Sequence, residues 1–189
     1  MEQLFADLLV HLDEDPTRAG LLETPKRATA AWRFWTEGRT LDPADVFKTF
    51  EDGAEGYHDL VFQGALPFWS SCEHHLAPFF GVAHIGYIPS GRIIGLSKFA
   101  RLLDIFARRL TVQERITTQV ADALVKYLNP LGVGVVLQAR HTCLESRGVQ
   151  KAGTVTHTSA LRGCIKDEPS ARAEFMNFVS CASQGLRAL

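Results

Sequence analysis

Apolar positions recur at helical spacing in four places along the chain. Leu4, Leu8, Leu9 and Leu12 line one face of residues 3–12. A second helix is expected from Thr24-Pro25, with Thr24 as N-cap and Pro25 at the first helical position, running to Gly38. "LSKFARLLDIFARRL" turns Phe99, Leu102, Leu103 and Phe106 to one side, and "TVQERITTQVADALVKYLN" does the same with Ile116, Val120, Ala123, Leu124 and Tyr127. A last helix follows Pro169, through Phe175, Phe178 and Val179.

Between these helices the texture is that of strands. "YHDLVFQGALPFW" and "FFGVAHIGYIPSG" form one pair, and "LGVGVVLQARHTC" and "TVTHTSALRG" a second. "FFGVAHIGYIP" is apolar on both faces, which calls for cover on both sides, some of it from another subunit. Residues 39–56, with Pro43, Gly53 and Gly56, read as irregular. Adjacent strand pairs favour an antiparallel sheet with helices on one side, an α+β arrangement. A helical N-terminal segment over residues 1–56 then precedes one catalytic-sized unit over 57–189.

Composition narrows the class. With 46% hydrophobic residues, 22% charged residues and a formal net charge of -1, the chain is an ordinary globular protein and no general nucleic-acid binder. No apolar run approaches the ~18 residues of a membrane span. "MEQLFADLLVHLDEDP" carries acids throughout and resembles neither a secretory signal nor a transit peptide, so a cytoplasmic location is expected. Four cysteines in a reducing compartment point away from structural disulfides. Cys164 and Cys181 read as small, partly buried residues without a chemical role.

The other two cysteines sit beside histidines, in "CEHH" and "HTC". Cys72 and His75, spaced C-x-x-H, reach one ion from a turn, and Cys143 is the natural third ligand at the end of its strand. Two thiolates and an imidazole suit zinc, and three protein ligands leave one tetrahedral position open, as catalytic sites do. His74 adjoins one ligand. His141, two residues before Cys143, shares its face if the strand is extended. Both are suited to proton transfer near neutral pH. The plainer reading is of buried thiols and satisfied histidines.

Ser97, as N-cap of its helix, with Lys98 and Arg101 on one face, makes a candidate anion site, or simply a solvated basic face. Arg147 and Lys151 add positive charge after Cys143. Glu114 has two readings. "TVQE" fits a capping box closed by Thr111, and a carboxylate also pairs with the amino edge of a guanine.

Taken in order, "DPTRAGLLETPKR", "CEHHLAPFFGVAHIGYIP", "GLSKFARLLDIFARRLTVQERITTQVADAL" and "RHTCLESRGVQ" resemble GTP cyclohydrolase I over nearly the whole chain. The resemblance implies the tunnelling fold, a four-stranded antiparallel sheet with two helices on one side. It implies hydrolysis of GTP to formate and 7,8-dihydroneopterin triphosphate, the first step toward folates and other pteridines. Cys72, His75 and Cys143 match the zinc ligands, and His74 and His141 the proton-shuttling histidines. Glu114 matches the guanine-holding carboxylate, with Gln113 assisting beside it. Ser97, Lys98, Arg101 and Arg147 match contacts to ribose and triphosphate. A homo-oligomer is implied, in the family a decameric ring with active sites between subunits. No dedicated regulatory protein is expected, and His157 has no implied role. The alternatives are a related tunnelling-fold enzyme that stops at the ring-opened formamide, and a non-catalytic ring stapled by zinc.

Overall fold

The computed structural model describes residues 1–47, 49–50 and 56–185. Two N-terminal helices, α1 (Glu2–His11) and α2 (Thr24–Trp35), pack on each other. Thr24 is the first residue of α2 and Glu23 stands at its N-cap without a side-chain bond, so the expected Thr24 cap does not form. α2 ends at Trp35, and a 3-10 turn over Glu37–Thr40 takes the chain past Gly38. The segment expected to be irregular holds a second 3-10 turn, Pro43–Val46, opened by Asp42 accepting a hydrogen bond from the Ala44 N–H, 2.9 Å. It also holds a two-residue strand, β1 (Thr49–Phe50). Residues 48 and 51–55 of that segment lie outside the described residues.

The main sheet is built from β2 (Val61–Cys72), β3 (Pro78–Ile88), β6 (Gly132–His141) and β7 (Val155–Gly163), antiparallel in that order. These are the four expected strands. A fifth, β5 (Leu110–Thr111), corrects the count: it adds to β2 in parallel, pairing Ser71 with Leu110 and Cys72 with Thr111. β4 (Ile93–Ile94) pairs with β1 in a separate ribbon. β3 and β6 approach closely at Gly81. A Cβ there would stand 1.9 Å from the Gln138 carbonyl oxygen, so only glycine fits against that backbone.

The helices expected on one side are α3 (Ser97–Ala107) and α4 (Gln113–Leu128). Phe99, Leu102, Leu103, Ile116, Val120 and Leu124 pack against Phe68, Phe79, Ile85, Val135 and Leu137 in one buried core. Each such side chain contributes about 1.5–3 kcal/mol by leaving water. Tyr127, expected inward, is half-buried at the rim, stacked on Phe47. The other face of the sheet is covered within the chain. Two helical segments, α6 (Cys164–Asp167) and α7 (Pro169–Gly185), bring Ile165, Phe175 and Val179 onto Leu60, Ile88 and Val136. This is the second cover that the apolar strand required. Among the described residues no helix is long and apolar enough to cross a membrane.

Candidate metal centre and active site

Cys72 ends β2, and the five residues after it form the turn into β3. The Cys72 N–H donates to the Ala77 carbonyl, 2.8 Å, and the Leu76 N–H to the Cys72 carbonyl, 2.9 Å. Leu76 takes the left-handed conformation, φ 54°, that closes the turn. The turn brings His75 back over its own strand end, with Nδ1 3.6 Å from Cys72 Sγ. β5 holds it from the side, because the Glu73 N–H donates to the Thr111 carbonyl, 3.1 Å.

Cys143 arrives from β6. The strand stops at His141, and Cys143 sits on a helical turn, α5 (Thr142–Glu145), rather than on an extended strand. The expectation that His141 and Cys143 share a strand face is therefore overturned; they are brought near by a turn. Two contacts aim that turn. Thr142 Oγ1 donates to the Pro78 carbonyl, 2.6 Å, and Arg140 grips Glu145 through two bonds of 2.8 and 2.6 Å.

The donor atoms of Cys72, His75 and Cys143 all lie within 4.8 Å of one another. Burial and the adjacent Cys72 thiol push the Cys143 thiol above its ordinary range, with Arg147 pulling the other way. The Cys143 thiol resists ionising until a cation joins it, and two sulfurs with an imidazole suit a soft divalent metal.

Around this cluster the structure gathers most of the candidate residues. His141 stacks flat on Phe79, ring centroids 4.6 Å apart and planes 7° from parallel. Burial holds its imidazole below the ordinary value, while the charges of Glu114 and Glu145 raise it. Glu114 is exposed in the first turn of α4. The capping box does not form: Val112 is the N-cap, α4 has no side-chain cap, and Thr111 is used in β5. The Glu114 carboxylate is thus left free of that duty. His74 is exposed, its Nε2 4.0 Å from Glu73.

Gln113 is corrected more sharply. It was expected to assist Glu114 at the guanine, yet it is only 1% exposed. Its amide is consumed inside the fold, donating to the Leu137 carbonyl, the Thr156 carbonyl and Thr158 Oγ1, each at 3.1 Å. Its oxygen faces His141 Nε2 at 2.8 Å. Reading residues by adjacency missed this, since neighbours on a helix point about 100° apart.

Ser97, Lys98 and Arg101 are not brought to the cluster. Ser97 is the first residue of α3, not its cap; Leu96 takes that position. α3 begins just beyond β4, where the Ile94 N–H donates to Tyr87 Oη, 3.1 Å. Phe79 pairs with His141 and Tyr87 with Val133, so the two ends of β3 are about 26 Å apart along the strand. Arg101 lines a small cavity with Asp42 and Asp45. A cavity of about 630 Å³ between α2 and β2 is lined by Phe34, Trp35, Trp69 and Leu76 and by none of the candidate residues. Arg115, singled out by nothing in the sequence, ties the ligand turn to α4 through Glu73. Cys181 is exposed rather than partly buried, and Cys164 is half-buried.

An α+β chain that collects a thiol, an imidazole and a second thiol at the end of an antiparallel sheet, beside a half-buried histidine and an exposed carboxylate, defines the class of an enzyme with a candidate metal site. The sequence profile described as GTP cyclohydrolase I matches residues 1–180. A protein of Janthinobacterium sp. (strain Marseille) named GTP cyclohydrolase 1 is 54% identical over 169 residues, 89% of this chain and 85% of its own. One from Nitrosospira multiformis with the same name is 55% identical, over 89% of this chain and 88% of its own. A third, from Deinococcus radiodurans, is 48% identical over 98% of this chain and 85% of its own. The chain belongs to the GTP cyclohydrolase I family.

Proposed function

We propose that this chain hydrolyses GTP to formate and 7,8-dihydroneopterin triphosphate, with Cys72, His75 and Cys143 holding one zinc ion. The observation that carries the reading is the convergence of those three donors within 4.8 Å at the sheet end where His141 closes β6 and Glu114, on α4, acts on it. Zinc bound there would bring the pKa of a water toward neutrality.

The chain's own residues supply the rest. Glu114 offers a carboxylate to the N–H and amino edge of guanine, fixing the base by two parallel bonds. His141, held flat on Phe79, delivers a proton to the guanine N7, which makes C8 more electrophilic. His74, exposed on the ligand turn, serves the later proton movements of ring closure. Arg147, close enough to act on the Cys143 thiol, adds positive charge for the triphosphate. The triphosphate does not react; its binding supplies orientation.

Ser97, Lys98 and Arg101 join the same site only from a second copy of the chain. Their start-of-helix position, beyond the far end of a strand of about 26 Å, is out of reach of a triphosphate bound at their own chain's zinc ligands. This supports a homo-oligomer with shared sites, in line with a decameric ring. The reaction belongs in the cytoplasm, whose reducing conditions keep Cys72 and Cys143 as free thiols. The N-terminal residues 1–56 are read as a helical segment on a catalytic unit of 57–189.

The test is turnover. Zinc-loaded protein given GTP should release formate and develop dihydropterin absorbance in equal amounts. A ring-opened product without pterin would mark an enzyme that stops early. No product from folded, zinc-replete protein would overturn the assignment.

A further inference from the structure

We propose that Gln113 is a positioning residue that fixes the tautomer of His141, keeping a hydrogen on Nε2 and leaving Nδ1 as the only ring nitrogen able to exchange a proton. The proposal rests on the reading of His141 as the proton-transfer group, and its basis is the direction of every hydrogen bond around the Gln113 amide.

One end of that amide meets the Leu137 and Thr156 carbonyls. Carbonyl oxygens only accept, so this end is the NH2 group, its two hydrogens shared with Thr158 Oγ1 as third acceptor. The polarity is locked further along. Thr117 Oγ1 donates to the Gln113 carbonyl, 2.8 Å, so its single hydrogen is spent. Thr158 Oγ1, 2.6 Å away, must then donate to Thr117, and so accepts from Gln113. A flipped Gln113 would aim its oxygen at two carbonyls in a fully buried place, which costs far more than a lost hydrogen bond.

The other end is therefore the oxygen, and an amide oxygen only accepts. His141 Nε2, 2.8 Å from it, must carry the hydrogen. Phe79 stacks on the ring and opposes its rotation. In the neutral ring the lone pair is then on Nδ1, so a proton passed to the guanine N7 is first taken up from solvent at Nδ1 and given from there. A catalytic imidazole left free would divide between two tautomers and waste part of its population. Here the choice is made by a side chain that never meets the substrate.

The tautomer is read directly from nitrogen-15 magic-angle-spinning spectra of zinc-loaded, histidine-labelled protein without GTP. The His141 signals are those missing from the His141→Ala spectrum. The expected result is a pyrrole-type Nε2 and a pyridine-type Nδ1. A protonated Nδ1 with bare Nε2, or an even mixture, would overturn the proposal, and it would do so whatever the protein does to GTP. The second arm is Gln113→Leu. In Gln113→Leu the two tautomers should mix and kcat should fall about ten- to a hundredfold, at or below the low end of what a general acid–base group contributes. Zinc content and GTP affinity should stay near the wild-type values. Loss of GTP affinity or zinc with an unchanged tautomer would assign Gln113 a structural role only.

Discussion

Glu73 and Arg115 form a two-bond ion pair, Nη1 to Oε2 at 2.5 Å and Nη2 to Oε1 at 3.1 Å, that ties the ligand turn to the first turn of α4. Glu73 sits between the ligand Cys72 and His74, yet it is turned to meet a guanidinium. The Arg115 bond holds the Glu73 carboxyl below its usual range. The pair links two parts of the site, because α4 begins with Gln113 and Glu114.

Arg115→Ala should therefore loosen the ligand turn without removing a ligand. Zinc affinity is expected to drop roughly 3- to 10-fold, below the 10- to 100-fold typical for direct partners of ligands, because Arg115 holds the turn and not a ligand side chain. Competition with a chromophoric chelator measures it. The wild-type affinity should also weaken as salt rises, and the variant's should be less sensitive. An unchanged affinity in Arg115→Ala would show that β5 alone holds the turn.

Sharing of sites between copies has its own signature. Lys98→Ala and His141→Ala proteins should each turn over GTP poorly. Mixed after dissociation and reassembled, they should regain activity, because some sites then draw both intact residues from different chains. The recovery is read as turnover against the mixing ratio. No recovery at any ratio would place Lys98 and His141 in one chain's site, against the distance along β3.

On the far side of the sheet His84 is fully buried, its Nδ1 accepting from the Ala65 N–H at 3.3 Å across the bulge in β2. Burial, then the charge of His157, holds its imidazole below the ordinary value of 6.5. An unfolded chain thus takes up a proton near pH 6.5 that the folded chain refuses. Stability from this site is complete above that pH and is lost as pH falls toward the depressed folded value. Urea midpoints between pH 7 and pH 5 should decline, and in His84→Gln the decline should be shallower. Parallel slopes for the two proteins would contradict this.

The four main strands, the helices α3 and α4, and the nearness of Cys72 to His75 were legible because each rests on local signals. α3 and α4 follow from helical periodicity, and Cys72 and His75 from their spacing. What escaped depends on contacts between distant segments. β5 is too short for any period to register, and only its pairing with Ser71 and Cys72 makes it a strand. That pairing also removes Thr111 from the cap it was expected to form. Cys143 sits on a turn rather than a strand because Thr142 and Glu145 find partners at Pro78 and Arg140. Gln113 and Glu114 differ in role although they are neighbours, since one faces the core and the other the solvent.

The most direct measurement is a zinc titration of metal-free protein read by GTP turnover. Turnover should rise in proportion to added zinc, stop rising at one ion per chain, and stay near zero throughout the series in Cys143→Ser. Full turnover without metal, or one tightly bound zinc per chain with no turnover, would contradict a catalytic zinc at Cys72, His75 and Cys143.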